Sequence, residues 1–423
     1  MELTSKEKEK YQIIQDCIDG KLTKSQAAVM LGISPRQIKR LKAKVREEGQ
    51  EGVVHGLKEK TSNHHISQDI KQEALQTIKK QYADFKPTFA AEKLAENHGI
   101  VVNRETTRLW MIEEKLWKPR KQKQGAYYSW RARKEYLGEL EQFDGSYHYW
   151  FEQRYCGEDG KSIEVCLLAS IDDATGQISK AEFSVHEGVI PVFAFWKGYV
   201  ENARLGKPVS IYLDRFSTYK INHKSALDNS ELKTQFQRAM KTLGITVIFA
   251  NSPQAKGRIE RLFQTLQDRL VKEMRLAGIN TPEKGNIFLK EIFLPKFNQQ
   301  FGVVPVKKGT VHKKLTNEEQ KNLSHIFSIH ETRRVNNDFT IQFKNCFYQL
   351  TEIQPTTVRP QEIVLVETWL DGSVHFLLKE NELKIILLPE KPKKLRIRQP
   401  IILTTHTLNW KPPKDHPWRK GYK

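Results

Sequence analysis

No stretch of 18 apolar residues occurs in the 423-residue chain, which leaves no candidate for a membrane-spanning helix. The opening MELTSKEKEK is too charged for a secretory leader, so a cytoplasmic protein with no membrane partner is expected. Cysteine is sparse. Cys17, Cys156, Cys166 and Cys346 are scattered and form no C-x-x-C pair, which argues against a zinc site and a disulfide framework and leaves reduced, structural thiols. Positive charge, by contrast, is in excess, with 70 Lys and Arg against 50 Asp and Glu, a net of +20. Residues 1–135 hold 28 basic against 18 acidic side chains and residues 389–423 hold 10 against 2, leaving +2 for residues 136–388. A nearly neutral centre between basic ends fits a chain that grips a polyanion with its arms and acts on it in the middle. At 49.3 kDa and 38% hydrophobic residues, two to four domains are expected.

Residues 21–46, KLTKSQAAVMLGISPRQIKRLKAKVR, carry a compact signal. Thr23 can cap a short helix that buries Ala27, Ala28 and Leu31, Gly32 makes the turn, and Ser34 caps a second helix opened by Pro35. The second helix presents Arg36, Lys39, Arg40 and Lys44 while Ile38, Leu41 and Val45 turn inward. This is a helix-turn-helix, with its second helix available to the major groove of double-stranded DNA. Residues 85–117 repeat the pattern with Ala90 and Ala91, a Gly99-Ile100 turn and a helix from about Asn103, whose front would carry Arg104, Thr106, Thr107 and Arg108. Between Lys115 and Lys134 lie eight basic residues and no acid, interleaved with Trp117, Tyr127, Tyr128 and Trp130. Lys118, Arg120, Lys121 and Lys123 in this segment are candidates for phosphate contact along a DNA-tracking linker.

From about residue 136 the pattern alternates. LEQFDGSYHYWFE sets Phe143, Tyr147, Tyr149 and Phe151 on one period-2 face, and SIEVCLLASIDDATGQISKAEFSV reads as a hairpin. A helix near 189–203, a strand ending at Asp214, a helix over roughly 230–242 and a buried strand in GITVIFAN follow. Three antiparallel strands, then strands alternating with helices, is the element order of a ribonuclease-H-like fold, in which the first and fourth strands are neighbours. Asp144, inside the first, and Asp214, at the end of the fourth, would then project into one region, and the helix after GITVIFAN would bring Glu260 over it. Three acids at one point repel unless cations neutralise them, and oxygen ligands without Cys or paired His favour Mg²⁺ or Mn²⁺. Asp172 and Asp173 read as turn caps, and Asp228 and Glu231 as helix-start residues.

The flanks of these acids carry a resemblance. QFDGS, YLDRFSTYK, NSPQAKGRIERLFQTLQDRL, FLPKFNQQF, RRVNNDFTIQF and the closing HPWR, in this order after the helix-turn-helix, resemble a DDE transposase of the retroviral-integrase superfamily, most closely the ISNCY-type insertion-sequence transposases. The resemblance covers nearly the whole chain and implies Asp144, Asp214 and Glu260 as the catalytic, metal-holding triad, with two Mg²⁺ or Mn²⁺ ions. It further implies hydrolysis at the element's terminal inverted repeats, transfer of the freed 3′-hydroxyl to target DNA, and a homo-oligomer, at least a dimer, on paired ends in the bacterial nucleoid. Lys256 and Arg258, just before Glu260, are placed to hold the scissile backbone. Two features depart from the pattern. The 45 residues between Asp214 and Glu260 exceed the usual gap in many relatives. Gln267 stands where many relatives carry Lys or Arg, with Arg261 or Arg269 as substitutes.

The expected layout is multidomain α+β: helix-turn-helix units at 1–60 and 61–120, a basic aromatic linker at 121–135, a ribonuclease-H-like catalytic core with a helical extension at 136–320, a small β-barrel at 325–390 and a basic tail at 391–423. In the barrel region, FTIQFKNCFYQL, EIVLVETWL and SVHFLLKE read as strands, with Asp371-Gly372 as a hairpin turn. Two rival readings remain, a stand-alone nuclease or resolvase and an inactive, domesticated transposase acting as a sequence-specific DNA-binding regulator. Tandem helix-turn-helix units speak against the first, and retention of all three acids against the second.

Overall fold

The computed structural model describes residues 3–55, 66–119, 131–202, 205–214, 229–250, 257–389 and 413–416, with backbone alone at 214, 229–234 and 250. They divide into two compact units, Met1–Gln124 and Gly125–Lys423.

The first unit holds two helical triplets. Helices α1 (Ser5–Ile18), α2 (Lys24–Leu31) and α3 (Pro35–Glu48) form the first. Thr23 closes a capping box with Gln26, and Ser34 accepts the Gln37 amide ahead of Pro35. Between them Gly32 adopts φ 62°, a left-handed conformation cheap only for glycine. Ala27, Ala28, Ile38 and Val45 bury against Ile13, Ile14 and Cys17 of α1, a helix the turn signals alone do not reveal. Helices α4 (Gln68–Gln81), α5 (Pro87–His98) and α6 (Arg104–Glu113) repeat the scheme, with Gly99 at φ 69° and Asn103 accepting the Glu105 amide. Ala90, Leu94, Trp110 and Met111 close that core with Ile78 and Tyr82.

The second unit begins with strands β1 (Glu141–His148), β2 (Val165–Asp172) and β3 (Ile178–Ser184). Helix α7 (Val189–Val200), strand β4 (Ser210–Asp214), helix α8 (Asn229–Thr242), strand β5 (Thr246–Ala250) and helix α9 (Gly257–Leu276) follow. The sheet order is β3-β2-β1-β4-β5, with β1 antiparallel to β2 and parallel to β4. β5 is therefore an edge strand, and Ile248 is 38% exposed, where the sequence suggested a buried strand. β1 also stops at His148: Tyr149 is exposed and Phe151 packs with the opposite cluster from Phe143, so the period-2 set ends two residues early.

The two faces of this sheet differ. Phe143, Leu168, Ile211 and Leu213 pack under α7 and α8 against Phe193, Trp196, Phe236 and Met240. On the other face Leu167, Ala169, Ile171 and Phe183 pack under α9, α10 (Pro282–Phe288), a π turn over Leu289–Phe293, and α11 (Leu294–Phe301). Two amide side chains close the other edge. Asn286 and Asn298 each accept a backbone amide of β3, from Phe183 at 2.6 Å and Ile178 at 2.8 Å, and each donates to the same residue's carbonyl.

Helices α12 (Asn317–Lys321) and α13 (Leu323–Ile326) return the chain to the α7 face. Strands β6 (Ile329–Arg334), β7 (Thr340–Phe343), β8 (Cys346–Leu350), β9 (Ile363–Thr368), β10 (Val374–Leu378), β11 (Asn381–Glu382) and β12 (Ile385–Leu388) follow. They form two sheets, β11-β10-β9-β6 and β12-β8-β7, over a shared core that includes Ile341, Phe343, Val364, Val366 and Phe376. Among the described residues this is not one closed barrel. A tight turn, in which the Asn336 amide donates to the Thr340 carbonyl, takes β7 out of the sheet of β6. The Asp371-Gly372 turn stands as the sequence suggested, the Trp369 amide donating to the Ser373 carbonyl. Arg238 of α8 donates to the carbonyls of Ile326 and Ser328, and Gln235 bonds both backbone groups of His330, fastening β6 to the first sheet. Among the described residues, no helix is long and apolar enough to cross a membrane.

Candidate active site

β1 pairs with β4 in parallel, Glu141 with Ile211 and Gln142 with Tyr212. Carried two residues on, that register sets Asp144 level with position 214, the last residue of β4. Facing is fixed by alternation. Phe143, Ile211 and Leu213 bury under α7 and α8, so positions 142, 144, 146, 212 and 214 belong to the α9 face. Their partners in β2 agree, because Asp144 lies opposite Ala169 and Ser146 opposite Leu167, both in the α9 cluster.

α9 runs along β1 in the same sense. The Ile259 amide donates to Gln142 Oε1 at 3.3 Å, and Gln267 Nε2 donates to Ser146 Oγ at 3.2 Å. Eight helical residues rise about 12 Å and four strand residues about 13 Å, so helix and strand stay in step. Glu260 and Gln267 lie two turns apart on one stripe, which puts Glu260 within about one helical turn of the level of Asp144. Glu260 is exposed and makes no hydrogen bond or ion pair among the described residues, and Asp144, half-buried, accepts the Gly145 amide at 3.1 Å. The three positions converge on one sheet face, and the donor atoms they offer are all oxygen. That set suits a hard divalent cation and gives nothing for a thiophilic one.

The other candidates fare differently. Arg36, Lys39, Arg40 and Lys44 are all exposed along α3. On α6, Arg104 is exposed and Arg108 makes a two-pronged pair with Glu105 at 2.9 and 2.6 Å. Thr107 corrects the expectation: it is fully buried, its hydroxyl donating to the Asn103 carbonyl at 3.2 Å. Successive helical residues turn by about 100°, so Thr107 shares the inward side of Trp110 and Met111, which are buried with it, while its neighbour Arg108 is turned away from it. Lys118 is exposed; Arg120, Lys121, Lys123 and Lys256 lie outside the described residues. Of the two proposed substitutes for a basic residue at Gln267, Arg261 Nε donates to the Gly257 carbonyl and the Arg269 guanidinium covers the Phe301 ring.

Arg258 faces inward rather than into open solvent. It donates to Asp173 Oδ1 at 2.6 Å and to the Arg131 carbonyl at 3.1 Å, and burial holds its guanidinium below the usual arginine range against the pull of Asp173. Asp172 is the turn cap expected of it, accepting from Thr175 N and Oγ1 at 2.7 Å and from Gly138 N at 2.9 Å. Asp173 is not. Fully buried, it takes Arg131, Arg258, Gln142 Nε2 at 2.7 Å and the Lys134 amide at 2.9 Å. The one signal in the sequence was two adjacent acids where a hairpin turn needs one.

A family model described as a helix-turn-helix domain matches residues 9–60. The putative transposase y4bF of Sinorhizobium fredii (strain NBRC 101917 / NGR234) is 35% identical over 381 residues, spanning 90% of this chain and 80% of its own. The transposase for insertion sequence IS1202 of Streptococcus pneumoniae is 28% identical over 461 aligned residues, spanning 98% of this chain and 93% of its own. Among solved structures, the magnesium-bound, trimeric HTLV-2 integrase catalytic core matches with a TM-score of 0.25 at 18% identity over 37% of this chain and 86% of that one. Identity of 35% across nine-tenths of its length places the chain in the family of transposases.

Proposed function

We propose that the chain binds the ends of its own insertion sequence and carries out divalent-metal-dependent strand cleavage and strand transfer, with Asp144, Asp214 and Glu260 as the acidic triad of a ribonuclease-H-like core. One observation carries the reading: the β1–β4 register levels Asp144 with position 214 on the face along which α9 carries Glu260. Two Mg²⁺ or Mn²⁺ ions held by these carboxylates would activate water or a DNA 3′-hydroxyl and neutralise charge developing at phosphorus. The chain's own part is to fix the carboxylates on two paired strands and one packed helix, so that little reorganisation accompanies the reaction. No protein nucleophile is required.

Binding is the work of the first unit. Arg36, Lys39, Arg40 and Lys44 form an unobstructed basic stripe on α3, supporting major-groove reading there. Arg104, Arg108 and Lys118 are left for backbone contact. Insertion joins two ends to one target, which calls for at least a dimer. The layout supported is two helix-turn-helix units, the core with its helical extension, and a two-sheet C-terminal module.

The test uses duplexes covering the DNA on either side of the chain's own gene. Asp144→Asn, Asp214→Asn and Glu260→Gln should each abolish cleavage in Mg²⁺ and leave duplex binding intact, because an amide keeps the shape and loses the charge. Wild-type cleavage by any one of them removes that residue from the triad.

A further inference from the structure

We propose that Asp173 is a positioning residue that holds the three acid-bearing segments in mutual register; this rests on the triad reading above. Asp173 and the arginines it binds reach each segment at the same place. Gln142, two residues before Asp144, donates to Asp173 at 2.7 Å. Arg258, two residues before Glu260, donates to it at 2.6 Å. Tyr212, two residues before Asp214, lies under the guanidinium of Arg131, 5.9 Å from its ring centre, and Arg131 is itself bound to Asp173.

The segments are QFD, YLD and RIE. In each, the first residue meets the hub and the third is the acid. The middle residue, Phe143, Leu213 or Ile259, is buried at 1%, 3% or 0% exposure. Each acid thus follows directly on two anchored residues. Gln142 adds a cross-link, since its Oε1 accepts the Ile259 amide while its Nε2 donates to Asp173.

Chemistry explains why a carboxylate fills this place. Arg131 and Arg258 come together, Arg258 donating to the Arg131 carbonyl at 3.1 Å, and their like charges need a buried anion between them. Arg131, Arg133 and Lys134 all bond to Asp173 or its carbonyl, so the end of the segment expected to be a linker is built into the core. In Asp173→Asn the two guanidiniums would repel, and the repulsion would bear on the first turn of α9, which carries Glu260.

Titration of the full chain with Mn²⁺ by calorimetry, without DNA, gives a readout independent of catalysis. Asp173→Asn should weaken Mn²⁺ binding by about tenfold or more, the size of effect seen when supporting contacts behind metal ligands are removed. The Mn²⁺ needed for half-maximal cleavage of the gene-flanking duplexes should rise by the same factor. Adding Arg258→Gln should restore much of the affinity, since a neutral pair no longer repels Arg131. A merely structural Asp173 would lower the unfolding midpoint and leave the folded variant with wild-type Mn²⁺ affinity, overturning the inference. Where Asp173→Asn does not fold, Arg258→Lys takes its place: it keeps the charge but loses the forked geometry, and unchanged affinity there overturns the inference equally. A wild-type chain with neither Mn²⁺ binding nor metal-dependent cleavage sinks the triad reading itself. Wild-type metal dependence with an unaffected Asp173→Asn sinks the positioning role alone.

Discussion

The two faces of strand β1 do opposite jobs. Its odd positions face α7 and α8 and include Phe143, whose ring lies 5.0 Å from Phe195 and 5.4 Å from Trp196. Its even positions Gln142, Asp144 and Ser146 are polar, and Gln142 and Ser146 meet α9 through hydrogen bonds rather than rings. Apolar cover on that face comes from β2 and β3, and it gives way at β1, where the acids begin. On the proposed reading Asp144 needs no pocket of its own, because Phe143 beside it is locked into a closed core.

Neighbours in sequence should therefore fail in opposite ways. Asp144→Asn should lower cleavage by about 10³-fold or more, the rate equivalent of several kcal/mol of lost charge stabilisation, with its melting temperature close to wild type. Phe143→Ala should cost about 3–5 kcal/mol of stability by leaving a cavity, with the activity of the remaining folded protein largely kept. Denaturant melts read beside cleavage per folded molecule decide it, and a Phe143→Ala variant that is stable but dead would break the division between faces.

Glu141 tests the apolar face from within. It is fully buried, its Oε1 takes Ser179 Oγ at 2.7 Å and the Tyr199 hydroxyl at 3.0 Å, and its Oε2 has no hydrogen-bond partner among the described residues. Burial, reinforced by the charge of Asp172, pushes its carboxyl up from 4.5 to about 8. A raised carboxyl favours folding while protonated in both states, and that advantage is lost as pH climbs from the unfolded value to the folded one. Wild type should accordingly lose stability relative to Glu141→Gln as pH rises from about 4.5 to about 8. Parallel stability curves for the two across that range would show that Glu141 does not titrate this way. The smallest effect belongs to Gln267→Ala, which removes the 3.2 Å bond to Ser146 and should cost about 0.5–1 kcal/mol by urea melts; a rise in stability would mean the polar face is strained rather than tied.

Much of this was legible from the chain. Gly32 and Gly99 announced their turns because few other residues take a left-handed backbone cheaply. Asp144 stood out because an acid inside an apolar strand needs a reason, and its place on the α9 face follows from strand alternation. Thr107 was misread because a run of polar residues looks like one surface until the helical rotation is applied. The far side of β5 and the end of β1 were missed for a related reason: strand period shows which residues share a face, while only the assembled sheet shows whether that face is covered. Asp173 was hidden more deeply. Its partners at 131, 142 and 258 are distant in sequence, and nothing local distinguishes an acid that caps its own turn from one that gathers three segments.

The placement of these tethers gives the chain freedom in length. Each acid is secured within its own tripeptide, so the connections between tripeptides bear no duty to hold the acids in place. Of the 45 residues separating Asp214 from Glu260, α8 and β5 are held by the core and the sheet, so a change of length has room only outside them, where doubling a loop would add only about 0.6 kcal/mol of closure entropy. What this chain holds constant is three short words, each a tether, a core residue and an acid.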